Sequence, residues 1–290
     1  VMRLIFLFFC LTYCFSCKQK NQVKKFEIKK INSPLKSKKD STTKKIESLF
    51  HDALEKSLML AKTAGKESFR KKFSTGSEYL NNKVDVEVKF GHLFSQNYKN
   101  LFIASSSKLY TKITIYSVNA LGFKKLIDQI LMTDAYPIWS IKDVNNDGLK
   151  DLSINWYPLS GCCMRNIFDL YISKVDEIST TKIELVNPTF FSNEKAIRGV
   201  TYDHPGLASL YKFKWNKLNL DTIEYIYPNL SDTIQISFVR SNESHYSQSK
   251  KKRSENLKSI PKEYNSVLGL DYFKSYNLED IKIISKNYNK

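Results

Sequence analysis

The chain has 290 residues, 42% of them hydrophobic, which is enough to bury a sizeable core and points to one principal domain with appendages. Its formal net charge of +17 is carried almost entirely by lysine, whereas phosphate-fork and base recognition favour arginine, and this argues against a nucleic-acid partner. No Gly-x-Ser-x-Gly elbow, Walker loop, His-Glu-x-x-His or Rossmann glycine fingerprint occurs, and glycine is scarce at 9 residues, so the chain reads as a non-enzyme.

Residues 1–16 have the form of a signal peptide. Arg3 supplies a short basic start, and Leu4 to Phe15 is an apolar run too short to span a bilayer comfortably. The run ends in Cys14-Phe15-Ser16-Cys17, followed by Lys18-Gln19-Lys20. A small residue directly before a cysteine at this place resembles a bacterial lipobox. The resemblance implies that Cys17 becomes the first mature residue and carries lipid, anchoring the protein to a bacterial membrane on its periplasmic side or in the outer membrane. Cys14 stands three residues before it, where that motif prefers leucine; the rival start at Cys14 has bulky Tyr13 before it. Residues 17–45 are lysine-rich and without apolar period, so they read as a solvated tether.

A helical segment is expected over 46–80. Ile46, Leu49, Phe50, Ala53, Leu54, Ser57, Leu58, Ala61 and Ala64 recur at helical spacing, with charged residues of both signs on the other face. That mixture favours a helix packed on the domain over a membrane-surface helix. Gly65 suits a C-cap, and Phe69 and Phe73 extend the pattern by a turn or two.

From residue 81 to 240 the period changes to two. Val84, Val86, Val88 and Phe90 alternate with charged residues, Leu101 to Ala104 is a short apolar strand, and Lys112 to Val118 alternates again before a turn at Asn119–Gly122. Phe168–Ile172, a hairpin joining Tyr211–Trp215 to Leu218–Leu220, Ile223–Tyr227 and Ile234–Val239 continue the series. The fold class is therefore mainly β: a small propeller-like or sandwich-like antiparallel domain preceded by an amphipathic helix. Some 160 residues allow only three or four blades at about 40–45 residues each, which excludes a complete seven-bladed propeller.

Within this region Asp143-Val144-Asn145-Asn146-Asp147-Gly148-Leu149-Lys150-Asp151 carries the most specific chemistry. Side-chain oxygens fall at positions one, three, five and nine (Asp143, Asn145, Asp147, Asp151), Gly148 permits a left-handed backbone, and Leu149 can offer its carbonyl. That donor set suits a hard cation such as Ca²⁺. The flanks, Pro137–Ile141 and Leu152–Trp156, read as strands, the latter with one apolar and one wet face, and Ile154 stands where an EF-hand has its bidentate Glu. Strand, calcium loop, strand resembles FG-GAP/VCBS-type repeats over 138–154; the alternative is a plain Asn/Asp/Gly hairpin turn.

With Cys10 and Cys14 in the signal region and Cys17 read as lipidated, only Cys162 and Cys163 remain in the body of the chain. The pair is read as a vicinal disulfide stiffening the turn from Ser160, with free thiols or bridges to other chains as alternatives. His51, His92, His204 and His245 show no ligand spacing. Residues 241–290 begin as a basic linker and end in a segment rich in apolar and aromatic residues, expected to pack back on the domain as short helical turns.

The order of the calcium loop, the turn Ser160–Arg165, the aromatic strand Phe168–Ile172, Asn187–Phe191 and Tyr211–Leu218 resembles an exported bacterial family containing inhibitors of peptidoglycan hydrolases. The resemblance covers about residues 100–230, and its specific motif is the Asp-x-Asn-x-Asp-Gly loop. It implies a calcium-binding envelope lipoprotein that caps a lysozyme-like partner, with Asp143, Asn145, Asp147 and Asp151 as metal ligands. The alternative is a structural or adhesive lipoprotein that binds glycan or anionic polymer through its lysines.

Overall fold

A computed structural model describes residues 41–77, 82–158, 165–247 and 252–288. All fall in one unit, Asp40–Lys290, so the stretches 46–80, 81–240 and 241–290 share a single fold. The amphipathic period begins earlier than expected, inside the tether, as helix α1 (Ser41–Ala64). Ile46, Ala53 and Ala61 are buried on one face, and Gly65 at φ 58° closes the helix in the left-handed region. The helical segment does not run to residue 80. Phe69 and Phe73 lie instead on strand β1 (Phe69–Ser77), where their spacing of four serves a strand as well as a helix, and pairing with β2 (Asn82–Gly91) decides between them.

Strands β3 (Lys99–Ser106), β4 (Tyr110–Asn119) and β5 (Gly122–Met132) complete a five-stranded antiparallel sheet in chain order. The second sheet is β6 (Ile138–Lys142), β7 (Asp151–Trp156), β8 (Ile167–Tyr171) and β9 (Ile183–Val186). The third is β10 (Pro188–Phe191), β11 (Ala196–Val200), β12 (Leu210–Asn216), β13 (Asn219–Pro228), β14 (Phe238–Ser241) and β15 (Ser254–Leu257). The hairpin at 216–219 is as expected, with Lys217 at φ 56°. The Ile234–Val239 stretch differs: Ile234 is exposed and the strand begins at Phe238.

Three meanders of neighbouring strands stack face to face, like a sandwich with an added layer. Alternation within each strand sets the layers. Val84, Val86, Val88, Leu101 and Ile103 meet α1, while Phe102, Ala104, Ile113 and Ile115 meet Leu152, Ile154 and Tyr171 of the second sheet. The opposite face of that sheet, through Leu170 and Leu185, meets Ile197, Tyr211 and Trp215 of the third. The last face, with Val200, Leu210, Ile226 and Phe238, is covered by the C-terminal segment: a 3₁₀ turn (Lys262–Tyr264), α2 (Leu270–Phe273) and α3 (Leu278–Tyr288). The C-terminal residues lie on the third sheet not only as short turns but also as the strand β15 and the eleven-residue helix α3.

The inner strands of the second sheet, β7 and β8, are consequently buried on both sides. Ser153, read as facing water, is 4% exposed and shares a hydrogen bond of 2.8 Å with Ser140. A strand between two sheets must satisfy its polar side chains internally, because unpaired buried groups cost about 1–3 kcal/mol.

Candidate metal centre

The loop joining β6 to β7 has an exposed tip at Asn146–Gly148 and a buried base at Val144, Asn145 and Asp151, and its first residue organises it. Asp143 Oδ1 accepts from the backbone amides of Asn145 (3.2 Å), Asn146 (2.6 Å) and Asp147 (3.3 Å), and Oδ2 accepts from Gly148 (2.9 Å). Asn146 at φ 58° and Gly148 at φ 87° turn the chain through the left-handed region, which Asn tolerates and Gly adopts freely. Asn145 Nδ2 donates to Asp147 Oδ2 (2.9 Å), Asn145 Oδ1 accepts the Asp147 amide (3.2 Å), and Asp147 Oδ1 accepts the Leu149 amide (2.9 Å). Asp143, Asn145 and Asp147 are thereby drawn together.

Asp151 is placed differently. Its carboxylate is fully buried beneath the loop, with Oδ2 accepting the Val144 amide (3.0 Å) and Oδ1 the Ser173 amide (2.8 Å). Burial first, and then the negative charges of Asp147 and Asp143, push its carboxyl up to about 7, against the two amide bonds that favour ionisation. Other segments fasten the loop from outside. Lys150 donates its amide to Phe94 O (2.8 Å), Ser192 Oγ reaches Val144 O (3.2 Å), and Ser173 Oγ bonds Lys150 O. Nothing in the sequence marks Ser173, Ser192 or Phe94 as partners of this loop, since each comes from a distant turn.

No Lys or Arg pairs with Asp143, Asp147 or Asp151 among the described residues, although the chain carries 46 basic residues. The donors are all oxygen, the set a hard divalent cation takes. As placed, the carboxylates engage the loop's own amides, and no group of three or more His, Cys, Asp or Glu stands in metal-holding geometry among the described residues. Cys17 and the pair Cys162–Cys163 lie outside the described residues. No described helix is long and apolar enough to cross a membrane.

Two further buried charged groups were not legible as such in the sequence. Asp169, with 0% of its side chain exposed, receives Lys182 Nζ at 2.9 Å and Trp156 Nε1 at 3.0 Å. Arg198 is buried on β11 between Glu194 and Glu263 (2.8 Å), with its guanidinium 4.3 Å from the centre of the Phe191 ring. Both are matched by opposite charge and tie layers together rather than opening onto a cavity.

Compared with known proteins, the chain matches no family model, no curated protein and no solved structure. Its function is therefore argued from its own residues.

Proposed function

We propose that this protein is an exported, lipid-anchored binding module of the bacterial cell envelope whose Asp143–Asp151 loop holds Ca²⁺, and that its partner is a protein, with a peptidoglycan hydrolase as the specific case. The observation that supports the metal is the loop's all-oxygen donor set, in which Asp143 and Asp147 have no Lys or Arg partner among the described residues and their charges help raise the pKa of the buried Asp151. A divalent cation would relieve their mutual repulsion, with Asp143, Asn145, Asp147, the Leu149 carbonyl and Asp151 as its oxygen donors. The ion's contribution is structural: it would add to a corner between β6 and β7 held by the loop's hydrogen bonds and by the buried Val144 side chain. The export signal and the lipobox-like Cys17 support a compartment in which a site of only about millimolar affinity stays filled.

Thermal unfolding of the full chain with about 1 mM Ca²⁺ against chelator tests the metal. At this concentration a Kd of about 0.1–1 mM adds about 0.4–1.4 kcal/mol, a rise of about one to a few degrees. Asp143→Ala combined with Asp147→Ala should abolish the rise; a double variant that still responds to Ca²⁺ would remove the loop from the proposal. The partner is tested separately, by the rate at which lysozyme-type enzymes clear cell-wall suspensions with the full chain present. Unchanged rates across a panel of hydrolases would overturn the inhibitory form.

A further inference from the structure

The first and second sheets are not in full overlap. Trp139 of β6 lies under Phe102 of β3, with ring centres 6.1 Å apart, and β5 stands over β8, where Gln129 bonds Asp169. Strands β1 and β2 therefore overhang the edge of the second sheet by two strand spacings, roughly 10 Å. The overhang roofs a groove of about 490 Å³ lined by Lys72, Ser74, Asp85, Glu87, Ala104 and Trp139. Its inner wall is the outer edge of β6, the terminal strand of its sheet. Among the described residues no backbone hydrogen bond reaches that edge.

Unpaired strand edges invite another strand, and proteins usually blunt them. Here the start of β6 carries exposed apolar residues, although neither lines the groove itself. Ile138 is 65% exposed and Tyr136 77% exposed, and Tyr136 holds φ 48°, a conformation costly for a bulky residue. The charges on the roof restrict what can enter. Glu87 is held by Arg70 (2.7 Å) and Lys89 (3.3 Å), and Asp85 by Lys83 (3.1 Å) and Ser74 (2.6 Å). Burial opposes ionisation of Glu87, but Lys89 and Arg70 outweigh it and keep its pKa below the usual carboxylate value. Lys72, exposed and in register with Glu87, has no ion-pair partner among the described residues. A second copy of a chain with net charge +17 would approach against repulsion, whereas a strand carrying a carboxylate would meet Lys72 favourably.

We propose that the slot between the outer edge of β6 and the underside of β1 and β2 receives an extended segment of a partner protein. The segment adds a strand to the second sheet beside β6 and sets a carboxylate against Lys72, with main-chain hydrogen bonds supplying affinity and the side-chain row supplying selectivity. This deepens the binding-module reading and rests on it, since it names where the partner engages.

The test uses the ¹⁵N-labelled full chain and three synthetic peptides of about ten alternating Thr and Val residues, with Glu, Lys or Ala at the centre. The Glu peptide is expected to slow amide exchange in Ile138–Lys142 and to bind about tenfold more tightly than the Lys peptide. Lys72→Glu should reverse that order. Failure of all three peptides to protect these amides, protection elsewhere, or an order unchanged by Lys72→Glu would overturn the slot. Protection that grows with protein concentration without peptide, together with a dimer in sedimentation, would overturn the partner in favour of a second copy. Ca²⁺ stabilisation and hydrolase inhibition, read on the same preparation, separate loss of the slot from loss of the proposed function.

Discussion

Two buried backbone amides, those of Val144 and Ser173, end on the single carboxylate of Asp151 at 3.0 and 2.8 Å. Asp151→Ala would strand both donors away from water, at a cost of about 2–5 kcal/mol. Urea denaturation measures this directly; a loss below about 1 kcal/mol would mean that the loop relaxes and rehydrates them. His245 offers a pH test. Burial first, and then Lys252, lowers its pKa below the free value of 6.5, while its ring stands edge-on to Tyr227 at 4.8 Å. A base with a depressed folded pKa binds its proton more readily when unfolded. Its contribution is therefore complete above pH 6.5 and declines as the pH falls from there toward the folded value. His245→Phe should flatten the stability profile between about pH 7 and 5 relative to the parent chain; an identical slope in both would exclude this residue as the cause.

Among the elements, β11 depends on a close approach. A Cβ added at Gly199 would lie 2.4 Å from the Tyr211 hydroxyl and 2.5 Å from Asn187 O. Tyr211 cannot withdraw easily, because it is buried and donates to Val186 O at 2.8 Å, tying the third sheet to the end of β9. Gly199→Ala is predicted to destabilise by about 1–3 kcal/mol through overpacking alone, with no backbone strain involved. Retention of parental stability in a guanidinium titration would show that β10 can shift. The helix α1 and the strands β2, β4 and β7 were legible locally because their apolar periods run over enough residues to be distinctive. Strand β1 was not: a helical and a strand reading both accommodate Phe69 and Phe73 four apart, and only pairing with Val86 and Phe90 resolves them.

Across the whole molecule, one layer covers the next, so the outermost layer matters to the innermost. Phe273 is fully buried and stacks on Phe238 at 6.0 Å, closing the third sheet. Phe273→Ala should cost about 3–5 kcal/mol. If the unit is cooperative, the fluorescence of Trp139, two layers away and read in a chain with Trp156→Phe and Trp215→Phe, will report the lowered midpoint; an unchanged Trp139 transition alongside a loss of helical signal would show that the C-terminal layer melts alone. The stacking order itself could not be read from the chain. Alternation tells which residues share a face, but not which sheet meets that face, and Ser153 was read as solvent-facing for that reason.

By itself the sequence determined the antiparallel β class, the N-terminal amphipathic helix and the Asp-x-Asn-x-Asp-Gly turn, because each rests on interactions between residues close in the chain. Only the tertiary structure decided that Asp151 is buried beneath the loop and that Ser173, 22 residues away, holds it. It also decided that the first sheet overhangs the second and leaves the β6 edge open. Those outcomes depend on how separate sheets pack, and packing is set by the summed fit of distant side chains, which no local period records.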